Sequence, residues 1–185
     1  NFLVEQGFKT ILQRLKGNKF IIKNNNNEQQ EQKTKIKYYT ISKIEELKTL
    51  VHKISNIGIC AIDTETDSLN IDKVNLVGIS LCYDDNKSFY IPIKHKELIT
   101  GILCKNQIKL DDVIKQISKI CIDPAILKIG QNIKYDLRVF QKYNIKVQSL
   151  ADTMLMSYAF ENGITRHNMD DLAFKHLNHT TIKFK

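Results

Sequence analysis

Asp63 and Glu65 close the run Ile59-Cys60-Ala61-Ile62-Asp63-Thr64-Glu65-Thr66-Asp67-Ser68-Leu69, an apolar stretch that ends abruptly in carboxylates spaced i, i+2. The interior of a buried strand has no use for an unpaired charge, because taking one out of water is costly. At a strand tip the same pair makes a cage for a hard divalent cation. Taken alone, acid-x-acid after a strand also fits an ordinary loop with capping side chains. A second polar cluster, Gly130-Gln131-Asn132-Ile133-Lys134-Tyr135-Asp136, follows another short apolar run and offers a third carboxylate. Asp136 by itself also fits a first-turn helix acid held by the dipole. Three converging carboxylates repel one another, and a divalent metal resolves the repulsion. Two such ions about 3.5–4 Å apart activate water and stabilise the leaving oxygen in phosphodiester hydrolysis. Oxygen ligands of this kind favour Mg²⁺ or Mn²⁺ over Zn²⁺.

These residues need elements to position them. Ser42 followed by Glu45 fits a capping box, Ile44, Leu47, Val51 and Ile54 mark one helical face, and Gly58 ends that helix. Ile59–Ile62 reads as a buried strand whose tip carries Asp63 and Glu65. Leu76–Tyr83 and Ser88–Ile93 read as two strands joined by the polar turn Asp84-Asp85-Asn86-Lys87. Val113, Ile117, Ile120 and Cys121 mark a helix that starts after Asp111 and stops before Pro124. Ile126–Ile129 reads as a strand, and Tyr135–Tyr143, Asp152–Phe160 and Asn168–Leu177 as helices. Strands alternating with helices imply an α/β sheet with helices on both faces, and the hairpin makes that sheet mixed. Sites in open α/β sheets lie beyond the carboxyl ends of strands, so two strands bring Asp63, Glu65 and Asp136 to one edge.

The 185 residues suit one ordinary domain with an extra segment. Residues 1–22 have apolar positions at roughly helical spacing and read as the tail of an upstream region. Residues 23–34, rich in Asn, Gln and Glu, read as a flexible linker. The main domain then covers 35–185. No apolar run approaches the roughly 20 residues that span a bilayer, so no membrane partner is expected. The cysteines Cys60, Cys82, Cys104 and Cys121 are scattered, which fits a reduced, cytoplasmic protein. A net charge of +8 favours a polyanionic partner, nucleic acid first; a lysine-rich soluble surface is the plain alternative.

At these residues the sequence resembles a known family. Asp63 through Leu69 resembles the first motif of the DEDD 3′–5′ exonucleases, and Gly130 through Asp136 the second. The resemblance continues through Asp152-Thr153-Met154-Leu155, Arg166-His167-Asn168-Met169-Asp170 and His179-Thr180-Thr181-Ile182, in the order and spacing of the proofreading domain of bacterial DNA polymerase I. Phe8 through Leu15 is similar to the end of that polymerase's 5′-nuclease region. The resemblance implies a ribonuclease H-like fold and two-metal hydrolysis of the 3′-terminal phosphodiester of DNA. It implies that Asp63 bridges two metals, that Glu65 ligates one, and that Asp136 reaches the second through water. It places Asn132 and Tyr135 against the terminal nucleotides, Leu69 as an apolar wedge at the terminal base, Arg166 at a phosphate and Phe184 beside the strand's path. The implied partners are a single-stranded 3′ end and a polymerase domain of the same full-length chain; a monomer is expected.

The family's third motif, Tyr-x-x-x-Asp, supplies a further metal ligand. No such motif follows Phe184, because the sequence ends at Lys185. The expectation is a piece of a longer protein, truncated before that motif, with impaired activity. A non-catalytic exonuclease-like domain and a ribonuclease D-like RNA exonuclease are the alternatives. Asp84, Asp85, Asp111 and Asp112 read as turn and cap residues, Asp170 and Asp171 as helix-start acids, and Asp152 as a residue that fixes structure. His176 and His179 lack a third ligand nearby and read as structural or surface residues.

Overall fold

A computed structural model of the chain describes residues 36–97, 99–161 and 166–182. The expected tail (1–22), the linker (23–34) and Phe184 lie outside these residues. The elements are β1 (Lys37–Thr40), α1 (Ile44–Ile57), β2 (Ile59–Thr66), β3 (Leu76–Asp84), β4 (Lys87–Pro92), α2 (Leu110–Ile122), β5 (Leu127–Gly130), α3 (Lys134–Lys142), β6 (Leu150–Asp152), α4 (Thr153–Phe160) and α5 (Met169–Leu177). Among the described residues, those up to Ser157 belong to one compact unit and those from Tyr158 to another.

The strands form one mixed sheet in the order β1-β4-β3-β2-β5-β6. β2, β3 and β4 are antiparallel neighbours, while β1 runs parallel to β4, and β5 parallel to both β2 and β6. The hairpin between β3 and β4 turns through Asp85 and Asn86, a tighter turn than the sequence indicates, closed by Lys87 Nζ donating to Asp84 at 2.9 Å. Both edge strands escape the sequence pattern. β1 is exposed at every position and β6 has 3 residues, so neither shows an apolar alternation.

Burial alternates along β2, with Cys60, Ile62 and Thr64 turned inward and Ile59, Ala61, Asp63 and Glu65 exposed. The inward face continues across the sheet as Leu81 and Ile79, then Phe89 and Ile91. Leu47, Leu50, Val51 and Ile54 of α1 and Val113, Ile117 and Ile120 of α2 complete that core. Val139 and Phe140 of α3 join the same core. The crossovers β1–α1–β2, β4–α2–β5 and β5–α3–β6 all advance in the same direction, and right-handed connections then put their helices on one side. Helices α1, α2 and α3 therefore share one face of the mixed α/β sheet. On the other face Asp63 and Glu65 are exposed among the described residues.

The chain remains in the sheet through Ile41, whose N–H donates to Tyr90 O at 2.8 Å. Helix α1 consequently starts later than the capping box at Ser42 implies: Lys43 is the N-cap, and its N–H is received by Glu46 at 3.3 Å. At the other end Gly58 adopts φ 79°, as the glycine at that helix stop requires, and donates to Ile54 O at 2.9 Å. Lys128 sits on β5 directly beside Cys60 and is fully buried. Its Nζ donates to the carbonyls of Asp123 (2.8 Å) and Ile126 (2.5 Å), which makes a buried lysine tolerable. The four cysteines are free; burial pushes the Cys60 thiol up to about 11 and the Cys121 thiol up to about 12, so neither is a ready nucleophile.

Candidate active site

The carboxylates do not stand beyond a strand tip. β2 runs on through Thr66, and Asp63 and Glu65 are ladder residues opposite Ser80 and Gly78 of β3. A spacing of i, i+2 on a strand puts both side chains on the same face, here the exposed one. The register shifts between Glu65 and Thr66, a bulge at the end of the ladder that turns the following residues away.

On its other side β2 loses its neighbour early, since the last registered pair with β5 is Ala61 with Ile129. Beyond it, backbone donors need another acceptor. Asp136, in the first turn of α3, fills the place. Its Oδ1 accepts the Thr64 N–H at 2.8 Å and the Thr64 hydroxyl at 2.5 Å. Asp136 is only 3% exposed. Burial raises its pKa, opposed by the two bonds from Thr64. Because Thr64 lies between Asp63 and Glu65, this contact brings the third carboxylate to the pair. The Asp63 carboxyl is reachable from solvent, yet enough protein surrounds it that its pKa rises to about 6. Desolvation contributes most, followed by the charges of Asp136 and then Glu65. Among the described residues no group of three His, Cys, Asp and Glu side chains closes into a ready metal cage. The donor set is nevertheless all carboxylate, acidic beyond what its surroundings compensate, and of the hard-oxygen kind that Mg²⁺ and Mn²⁺ take. The residues present fit such ions.

Around the carboxylates the loops are firmly held. Asp152, at the end of β6, accepts from Asn132 N (3.0 Å), Ile133 N (2.9 Å), Met154 N (2.9 Å) and Leu155 N (3.3 Å), the structural part its sequence context indicates. Asn132 is exposed with φ 56°, a left-handed conformation that Asn tolerates better than most residues. Tyr135 is half-buried. Its hydroxyl shares a 2.7 Å hydrogen bond with Thr66 Oγ1 and donates to Ser68 O at 2.8 Å, which pins the segment after β2. Asp67 accepts from Asn75 N (2.7 Å) and Nδ2 (2.9 Å), and Lys142 Nζ caps the carbonyls of Ile71, Asp72 and Val74. The result is a braced loop that holds Leu69 out at 90% exposure. Arg166 is exposed in the second unit. There Asn168 caps α5 by accepting from Asp171 N at 2.8 Å, and Asp170 in the first turn accepts from Thr181, beyond the helix. His176 and His179 are exposed.

Sequence reasoning passes over Thr64, Asp67 and Lys142. Thr64 is signalled by its place between the two acids, in the inward phase of the strand. Asp67 and Lys142 act through contacts 8 and about 70 residues away in sequence, which nothing local announces.

A mixed sheet with antiparallel β2, β3 and β4, a parallel β5 and carboxylates on the central strand β2 and on the helix that follows β5 defines a ribonuclease H-like exonuclease fold. Escherichia coli RNase D, an exoribonuclease involved in structured RNA processing, superposes with a TM-score of 0.58 at 20% identity, covering 80% of this chain and 35% of that one. Brucella melitensis NrnC with bound Mg²⁺ gives 0.57 at 18% identity, covering 82% and 66%. The family model for the 3′–5′ exonuclease matches residues 38–185, and the chain belongs to this exonuclease family of DNA polymerase I. It is 36% identical over 161 residues to DNA polymerase I of Rhizobium leguminosarum, a match covering 80% of this chain and 16% of that relative. The chain therefore spans about one sixth of the curated relative's length.

Proposed function

We propose that the chain removes nucleotides from the 3′ end of DNA by metal-dependent hydrolysis, as the proofreading part of a DNA polymerase. The observation that carries this reading is the Asp136–Thr64 contact, which sets a buried third carboxylate beside the strand that bears Asp63 and Glu65, near enough for its charge to raise the Asp63 pKa. Asp63, Glu65 and Asp136 would hold Mg²⁺ or Mn²⁺. When bound, such ions activate water and stabilise charge on the leaving oxygen. Leu69, apolar and held outward, stacks against the terminal base. Asn132 presents its side chain from a left-handed turn, and Tyr135 keeps the Leu69 loop in place while its ring faces the terminal nucleotide. Arg166 neutralises a phosphate, and Phe184 offers a stacking surface along the strand. A polymerase domain on the same chain, a reduced cytoplasmic setting and a monomeric state complete the proposal. The free cysteines and the membership in a polymerase I family support it, and no helix among the described residues is long and apolar enough to cross a membrane.

Three carboxylates are one short of the set that the family resemblance implies. Residues 1–185 by themselves are therefore expected to hydrolyse slowly, and a chain lengthened to include a Tyr-x-x-x-Asp to hydrolyse faster. The test uses 5′-labelled single-stranded DNA and RNA with Mg²⁺ or Mn²⁺. Asp63→Ala should lower the rate in the lengthened chain by about 10²-fold or more, and DNA should be degraded in preference to RNA. Equal rates for wild type and Asp63→Ala would overturn the metal-site reading. RNA preference would favour the ribonuclease D-like alternative, and inactivity of the lengthened chain the non-catalytic one.

A further inference from the structure

The sheet face bearing Asp63 and Glu65 carries a second arrangement that the carboxylates do not need. Tyr90 on β4 stands across from Ser80 on β3, which stands across from Asp63 on β2. The Tyr90 ring leans over Gly78, the cross-strand partner of Glu65. A Cβ at Gly78 would lie 2.0 Å from the Tyr90 hydroxyl. A missing side chain on β3 thus makes room for that hydroxyl on the carboxylate side, where burial and then the charge of Glu65 raise its pKa. The hydroxyl is hydrogen-bonded at 2.6 Å to His95 Nε2, with the two rings edge to face at 5.6 Å.

The backbone of His95 is clamped as well. Its N–H donates to Gln107 Oε1 at 2.6 Å, and its carbonyl accepts from Gln107 Nε2 (3.0 Å) and Cys104 N (2.9 Å). A pairing of Lys96 with Leu103 stiffens the next step of the loop. This holds an exposed imidazole in one orientation, with Nε2 engaged and Nδ1 without a partner among the described residues, between the exposed Lys94 and Lys96. Ordering an exposed side chain costs entropy, and fixed donors beside a charged site are what ligand positioning requires. Two strand spacings of about 4.8 Å separate β2 from β4, a reach of the order of a nucleotide unit. Asp67, in the loop that follows the carboxylates, is held below the usual carboxylate range chiefly by its bonds from Asn75, and the charge of Lys94 adds a last, small contribution.

We propose that Lys94, His95 and Lys96 form a phosphate-binding strap that receives the backbone of the nucleic-acid strand whose 3′ end lies against Asp63 and Glu65. The inference rests on the exonuclease reading and adds a binding element to it. An acidic centre repels the phosphates of its own substrate, and cations one step along the strand offset that repulsion. Backbone contacts carry no sequence information, which suits an enzyme that must accept any terminal base.

The test is anisotropy of a 5′-fluorescein-labelled single-stranded oligothymidylate in EDTA across a NaCl series. Lys94→Ala combined with Lys96→Ala should weaken binding several-fold. It should also flatten the slope of log affinity against log salt by about 1.4, at roughly 0.7 per lost single-strand phosphate contact. His95→Ala should weaken binding, and His95→Gln should recover part of it. A merely structural role would shift thermal stability and leave the salt slope untouched. Variants matching a wild type that binds would overturn the strap alone. A wild type that fails to bind in a salt-dependent way would overturn the nucleic-acid reading beneath it. Asp63→Ala removes one repelling carboxylate, so in EDTA it should bind no more weakly than wild type while losing hydrolysis, which separates binding from chemistry.

Discussion

Asp63 is the residue whose environment works hardest against its charge. Its carboxyl sits at about 6 instead of the ordinary 3.8, because protein displaces water around it and Asp136 and Glu65 add negative charge. The folded state therefore holds this proton more tightly than the unfolded chain, and stability is lost as pH rises through the window from about 4 to 6. The side chain is partly solvated, so the loss is roughly 1 kcal/mol after allowance for screening. Asp63→Asn is expected to melt higher than wild type above pH 6 and to match it below pH 4, while losing hydrolysis. Melting curves across that range check the sign. Thr64 acts in the opposite sense on Asp136, since its hydroxyl and N–H favour the charged carboxylate against burial. Thr64→Val removes the hydroxyl bond and keeps the N–H. It should cost about 1–2 kcal/mol and move the acid limb of the pH–rate profile upward, whereas a purely steric role would leave the profile in place.

Elements bring these residues together through pairings of which the sequence shows only part. The apolar run into Asp63 marks β2 because Ile, Cys and Ala have no other reason to precede two acids. The extension to Thr66 is hidden, because Asp-Thr-Glu-Thr has no apolar member and gains its ladder only from β3. Helices α1 and α2 are legible from their apolar periodicity, while β1 and β6 exist only as edges of a sheet whose centre must form first. Asp152 was legible as structural, and its geometry sharpens the reason. Oδ1 accepts from three N–H groups and Oδ2 from one, so both oxygens are occupied as acceptors. Asp152→Asn keeps an acceptor for three of these donors but turns an amide N–H₂ against the Ile133 N–H, and is expected to destabilise by about 1–3 kcal/mol, less than Asp152→Ala at about 2–4 kcal/mol, by denaturant unfolding. Tyr90 and His95 were not legible at all, because their relation to Glu65 passes through cross-strand register and an absent Cβ. Gly78→Ala should cost about 1–3 kcal/mol through its clash with Tyr90. Combined with Tyr90→Ala it should cost less than the sum of the two, a coupling that a double-mutant cycle reads directly.

At the scale of the molecule, a chain with a net charge of +8 holds a local cluster of opposite sign. The two charges do different things. On the proposed reading the positive surface gathers polyanions over a Debye length of about 8–10 Å, and the carboxylates collect divalent cations at contact range. A cation that binds the folded site and not the unfolded chain stabilises the fold by mass action. With a dissociation constant of about 1 mM, 10 mM Mg²⁺ would add about 1.4 kcal/mol at pH 8, where Asp63 is ionised. At pH 5 the proton on Asp63 competes, and the apparent affinity should fall about tenfold for a carboxyl titrating near 6, leaving about 0.4 kcal/mol. The melting shift caused by Mg²⁺ or Mn²⁺ should therefore shrink several-fold between pH 8 and pH 5. It should also be small at both pH values in Asp63→Asn, where the proton no longer competes but the ligand is gone. The chain holds two compact units, so the relevant transition must be identified first. It is the one that Asp152→Asn lowers, because Asp152 lies in the same unit as the carboxylates. A metal-induced shift of equal size at both pH values, or one that survives Asp63→Asn, would show that the cation stabilises the protein somewhere other than at Asp63.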